Sequence, residues 1–286
     1  MIKDFRKFNG LENHKYDLCI VGAGAAGITV AREFINKQFR VCLLESGGLN
    51  LDQETQSLNV GTFSSPVDHD PLHEGRLRYF GGSTNHWAGF CIPLIKEDFI
   101  IRHWIPNSGW PISFADLEPF YIRAQGVCKL GEFDYDHGVW QKLGINPPSI
   151  NQKKVVLRFW QWPDPLRFGQ AYLQELKQAV NVNVFLYANV TNIQINEEHS
   201  QVTGINVRSL TGRTDIISAK HYVIACGGIE NARLLLVSNS IKHRGIGNEH
   251  DVVGRYIMDH LQAQVGITVT RDNWLLPTKD LRINNR

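Results

Sequence analysis

Hydrophobic and polar positions change their spacing several times along this chain, and each change predicts an element. Tyr16–Val21 is a short apolar run with Leu18, Ile20 and Val21, the pattern of a strand buried on both faces. Three glycines, Gly22, Gly24 and Gly27, interrupt it. Ile28–Phe39 then reads as a helix with Val30, Phe34 and Ile35 on one face, and Arg40–Leu44 as a second strand closed by Glu45. Ser113 and Asp116 make a capping box that predicts a helix over Phe114–Cys128. Phe168–Val180 has helical spacing, with Tyr172, Leu173, Leu176 and Val180 sharing a face. Over Val182–Ala225 the pattern shifts to short strands rich in β-branched and aromatic residues. These are Val182–Leu186, Asn189–Ile195, Val202–Ser209, Thr214–Ser218 and His221–Ala225. Leu261–Thr270 alternates strictly, as a half-buried strand of an open sheet does.

The polar stretches carry less. Gly47–Arg78 reads as a long connection with little regular structure, the kind of segment that often serves a site. His69 and His73 lie beside Asp68 and Asp70, but Pro71 between them breaks a helical i, i+4 pair. They read as solvated loop histidines, and no metal site is expected. Trp140, Phe159, Trp160 and Trp162 crowd Val139–Pro165; core or lid packing is the preferred reading over a substrate cleft.

Composition narrows the class without naming a reaction. The 286 residues are 43% hydrophobic and 20% charged, ordinary for a globular chain of one large domain or two small ones. A net charge of +2 gives no reason to expect a nucleic acid or an anionic membrane as partner. The five cysteines are widely spaced with no C-x-x-C, so neither a disulfide framework nor a zinc ribbon is expected. No run approaches the ~20 apolar residues of a membrane span, and no apolar leader precedes Tyr16. Together these predict a cytoplasmic protein.

The candidate chemistry lies in the glycine turn. Gly22, Gly24 and Gly27 give G-x-G-x-x-G between a strand and a helix. The first glycine permits the turn, the second lets the backbone approach a pyrophosphate, and the third lets helix pack on strand. The helix N-terminus offers free N–H groups to phosphate, and Glu45 can accept from the ribose hydroxyls of an adenine nucleotide. The motif alone does not separate NAD from FAD. A second loop, Arg78–Phe90 (RYFGGSTNHWAGF), gathers close-approach glycines, hydrogen-bonding side chains and a flat apolar wall.

GGSTNHW after such a unit resembles the glucose–methanol–choline (GMC) oxidoreductases, which bind FAD and oxidise alcohols. Ile105–Gln125, His221–Leu236 and Val252–His260 resemble further segments of that family, in the same order, so the likeness runs from about Tyr16 to His260. It implies an α/β fold: a Rossmann-type FAD-binding domain of the glutathione-reductase kind, parallel sheet plus β-meander, with an incomplete substrate domain. The implied segments are 1–105 and 181–260 for FAD, 106–180 for a helical, aromatic-rich insertion, and 261–286 for the start of a substrate-domain sheet. The implied cofactor residues are Gly22, Gly24, Gly27, Glu45, Gly81, Gly82, Ser83, Asn85, His86, Val190, Cys226 and Gly227. Val190 would meet the adenine through its backbone, and His221–Ala225 would run parallel to the first strand. In some members, pyranose 2-oxidase among them, a histidine separated from Gly-Gly by three residues is joined covalently to the flavin; His86, after Ser83, Thr84 and Asn85, has that spacing.

The family's catalytic pair, a histidine with a second histidine or an asparagine, lies in a C-terminal segment to which nothing after His260 corresponds. The expected function is therefore FAD-dependent oxidation of CH–OH groups of alcohols or sugars, with hydride transfer to flavin N5 and the catalytic residues unassigned. This chain alone is expected to be inactive, and poorly soluble through an unpaired Leu261–Thr270 edge. The alternatives are a non-catalytic FAD-binding fragment, half of a split enzyme completed by a second chain, or an NAD-dependent dehydrogenase.

Overall fold

The computed structural model describes residues 1–7, 15–62, 72–144, 146–147, 151, 156–163 and 166–258. Among these the chain divides into two compact units, one built from Met1–Trp87 with Arg167–Asp259 and one from the Ala88–Leu166 stretch. The expected strand Leu261–Thr270 and His69 lie outside the described residues.

The first unit is a five-stranded parallel sheet covered by a three-stranded antiparallel meander. Its strands are β1 (Ile2–Asp4), β2 (Tyr16–Val21), β3 (Val41–Leu44), β4 (Val182–Leu186), β5 (Asn189–Ile195), β6 (Val202–Arg208), β7 (Thr214–Ile217) and β8 (Ala219–Ile224). The parallel sheet runs β1-β4-β3-β2-β8, and β5-β6-β7 is the meander. Register is set by apolar pairs such as Cys19↔Cys42 and Ile20↔Leu43. β2 and β3 are buried along both faces, which is why they lack alternation. Cys19, Val21, Cys42, Leu44 and Phe185 pack with Ile205, Val207 and Ile217 of the meander.

The helices in chain order are α1 (Ala25–Glu33), α2 (Gln53–Ser57), α3 (Lys96–Phe99), α4 (Phe114–Val127), α5 (His137–Leu143), α6 (Phe168–Gln178) and α7 (Gly228–Val237). α1 and α6 pack together through the Arg32–Glu175 ion pair at 2.8 Å, with the Arg32 guanidinium 3.8 Å from the centre of the Tyr172 ring. In the second unit, Asp116 accepts the Ser113 backbone N–H and hydroxyl, both at 2.8 Å, so the capping box opens α4 as the sequence predicts. Among the described residues no helix is long and apolar enough to cross a membrane.

Several elements differ from expectation. α1 begins three residues early and stops at Glu33, and its buried face is Gly27, Ile28 and Ala31 rather than Val30, Phe34 and Ile35. The Asn181 side chain stops it. It donates to the carbonyls of Phe34, Lys37 and Phe39 at 2.8–3.0 Å, holding those residues as turns. α6 ends at Gln178 because Ala179 turns to an extended conformation, and Val180, expected on the apolar face, is 80% exposed. The Gly47–Arg78 connection contains the short helix α2, capped by Asp52. Of the short strands expected over Val182–Ala225, Val182–Leu186 pairs with β3 in the parallel sheet and the meander begins at Asn189. β1 was not expected at all. Of the four clustered aromatics, Trp140 is buried and meets Phe159 edge-on at 4.7 Å, whereas Trp160 and Trp162 are largely exposed.

Candidate functional site

The carboxyl ends of β2, β3 and β8 meet two loops at one edge of the parallel sheet. β2 runs into Gly22, whose φ of +98° is the left-handed turn that the first glycine permits. A Cβ there would sit 2.6 Å from the Ala225 carbonyl oxygen. A Cβ on Gly27 would sit 1.8 Å from the Gly22 carbonyl oxygen, so only glycine lets α1 close on β2. Gly24 differs: a Cβ there meets nothing of the protein within 4 Å and would point into open space. The N-terminus of α1 begins beside that space.

The Gly81-Gly82 loop is bonded to this turn. The Gly81 N–H donates to the Ala23 carbonyl at 2.8 Å, and a Cβ on Gly82 would lie 3.1 Å from Gly24 Cα. β8 returns beside β2, Cys226 donates its thiol to the Val21 carbonyl at 3.2 Å, and Gly227 caps α7. Burial pushes the Cys226 thiol up to about 12. Two helix N-termini, those of α1 and α7, therefore open on one cavity of about 1070 Å³. That is the upper end of the ~300–1,000 Å³ usual for ligand sites, the size class of an extended ligand.

The cavity is lined by Gly22, Gly24, Glu45, Gly82, Ser83, Val190, Cys226 and Gly227, eight of the twelve residues expected there. Gly27 lies behind them at the helix–strand contact. Gly81 is buried in the turn, and Asn85 donates to the Phe80 carbonyl at 3.0 Å. His86 is exposed at the end of the 3₁₀ turn Gly82–Asn85, outside the cavity lining.

Glu45 is buried and accepts the Ala23 N–H at 2.9 Å and the Gly47 N–H at 2.9 Å. Burial pushes its carboxyl up; those two N–H groups, the nearby Arg78 and the Ser46 N–H pull the other way. A carboxylate has about four acceptor positions, three of them engaged by the Gly47, Ala23 and Ser46 N–H groups, so about one remains for a ligand's hydroxyl.

Sequence reasoning missed a cluster of charges in the same cavity. Glu230 pairs with Arg76 at 3.0 Å, Arg78 at 3.1 Å and Arg233 at 2.8 Å. Arg78 also donates to Asn59 at 2.9 Å and to Ser46 at 3.2 Å. Burial alone would raise the Glu230 carboxyl, but Arg78, Arg233 and Arg76 bring it below the usual range. Three guanidinium groups around one carboxylate leave an excess of positive charge, suited to a diphosphate. The alternate basic residues just ahead of Gly81-Gly82 are the local signal; Glu230, 154 residues away from Arg76, gives none.

A family model described as FAD dependent oxidoreductase matches residues 17–273. The 6'''-hydroxyparomomycin C oxidase of Streptomyces lividus is 24% identical over 92% of this chain and 58% of its own length. A GMC-type oxidoreductase of Mycobacterium bovis is 25% identical over 90% of this chain and 58% of its own. Among solved structures, pyridoxine 4-oxidase from Mesorbium loti superposes with a TM-score of 0.52 at 18% identity, over 77% of this chain and 51% of that one, a likeness of fold. The chain thus spans between about half and three-fifths of the proteins it matches.

Proposed function

This chain belongs to the FAD dependent oxidoreductase family, and we propose that it forms the FAD-holding portion of a GMC-type enzyme oxidising the CH–OH group of an alcohol or sugar. The cavity fits FAD on its own geometry. Gly24 leaves room where a side chain would intrude, Gly227 and Gly228 do the same at α7, and arginines outnumber acids at the wall. FAD when bound supplies the hydride acceptor at its flavin ring. In this reading the Gly24 backbone and the α1 N-terminus hold the pyrophosphate, and Glu45 holds the ribose through its remaining acceptor position. The Val190 backbone meets the adenine, and Gly82, Ser83 and Cys226-Gly227 line the path toward the flavin.

The observation that carries the proposal is the convergence of the glycine turn, the double-glycine loop and the returning Cys226-Gly227 on one cavity. The test is the visible absorption spectrum of the purified chain, or of the chain refolded with excess FAD. A bound flavin spectrum is expected; a preparation that stays colourless overturns the assignment.

His86 is proposed as a covalent tether for the flavin, on the GGSTNHW spacing. Flavin remaining with the acid-precipitated protein supports the tether, and complete release removes it. The second reading is half of a split enzyme. The chain spans 58% of the length of two of its curated relatives. Under that reading a base for the substrate hydroxyl comes from a second polypeptide. Alcohol-dependent dye reduction appearing only on adding such a chain supports it, and turnover by the 286 residues alone overturns it.

A further inference from the structure

The cysteines meet in two pairs. Cys19 and Cys42 face each other across β2 and β3 and are fully buried, out of reach of any reagent while the sheet is folded. Cys91 and Cys128 make the second pair, inside the Ala88–Leu166 unit. The Cys91 thiol donates to the Gly89 carbonyl at 3.3 Å and accepts from the Cys128 thiol, and both residues are only half-buried. We propose that Cys91 and Cys128 form a reversible disulfide by exchange with a low-molecular-weight disulfide such as glutathione disulfide.

The backbone on each side is held in place for this. Cys91 exchanges two hydrogen bonds with Gln161, at 2.7 and 3.0 Å, in an isolated antiparallel bridge. The Gln161 side chain donates to the carbonyls of Glu132 and Asp134 at 2.8 and 2.9 Å and accepts from Gly131 at 3.1 Å. It also accepts from Gln125 at 3.2 Å, and Gln125 lies one turn before Cys128 at the end of α4. Tyr135, buried, donates to Gln125 at 2.8 Å. One glutamine thus ties the strand carrying Cys91 to the helix end carrying Cys128. Two sulfurs already in contact on anchored backbones need little side-chain motion to bond.

The pair is also chemically asymmetric. The hydrogen bond from Cys128 holds the Cys91 thiol below the usual cysteine value, while the same contact and burial push Cys128 up. The thiolate is the attacking species, so Cys91 attacks first. Its sulfur bonds to one sulfur of the small disulfide, the small S–S bond breaks, and one small thiolate leaves and takes up a proton. Cys128 then gives up its proton and attacks the Cys91 sulfur, expelling the second small thiolate, which is protonated in turn. The protein dithiol loses two electrons and two protons; the small disulfide becomes two thiols.

The test uses the full chain, equilibrated with glutathione disulfide and then denatured for thiol counting and peptide mass mapping. The reduced chain shows five thiols and the oxidised chain three, with the Cys91 and Cys128 peptides joined and dithiothreitol restoring five. Cys128→Ser is expected to stop at a stable glutathione adduct on Cys91. Cys91→Ser is expected to keep its remaining four thiols free under the same conditions. Five thiols persisting in the wild type, a link through any other cysteine, or equal adduct formation on Cys128 in Cys91→Ser overturns the proposal.

Discussion

Gly24 and Gly27 stand three residues apart in one turn, and a single methyl group means opposite things at the two positions. At Gly27 it would collide with the Gly22 carbonyl, which has no room to retreat beneath α1. Gly27→Ala is expected to cost about 3 kcal/mol or more through overpacking. At Gly24, already in an extended conformation at the helix cap, it meets no protein atom. Gly24→Ala should leave the unliganded protein within about 1 kcal/mol of wild type and weaken FAD by roughly tenfold or more, about 1.4 kcal/mol. Chemical denaturation without FAD, paired with flavin titration, separates the two. Equal loss of stability in both variants would contradict this reading of the turn. Glu230 sets a second expectation. Its folded carboxyl is held below the usual value, so its contribution is present above the unfolded value, about 4.3, and is lost as pH falls through the folded one. Glu230→Gln should lower stability at neutral pH by about 1–3 kcal/mol by leaving arginines short of a partner. It should also flatten the loss of stability on the acid side. Denaturation midpoints across that range check both effects.

At the scale of elements, β1 shows what a three-residue strand can hold in place. Ile2–Asp4 pairs with β4, the terminal ammonium donates to Val182 at 2.7 Å and Ala179 at 3.1 Å, and Phe5 just beyond is fully buried in the core. Phe5→Ala is expected to cost about 3 kcal/mol, as for any large core aromatic. Thermal or chemical unfolding would show it, and a change under about 0.5 kcal/mol would mean the segment is peripheral. Nothing in MIKDF announces this, because three residues carry no period and their burial depends on a strand some 180 positions later. The readable elements were those whose pattern is local: β2, β4 and β5 over their whole length, α4 from its capping box. The ends of α1 and α6 were misread for the opposite reason, since a side chain from Asn181 and a backbone turn at Ala179 decide them.

Across the whole molecule, the cavity's glycines were legible because a turn and a close approach demand glycine locally, whereas the Arg76–Arg78–Glu230 cluster was not. Charges 154 residues apart share a site only after the sheet is formed. The strand order β1-β4-β3-β2-β8 has a further consequence for how this molecule is made. β3 leaves the ribosome with β4 still unsynthesised, and 137 residues separate Leu44 from Val182. At ~5–20 residues per second the nascent β2–β3 pair waits roughly 7–27 s with both outer edges bare. Co-translational assembly of the flavin platform therefore awaits the synthesis of Val182–Leu186, and chaperone protection matters most during that interval.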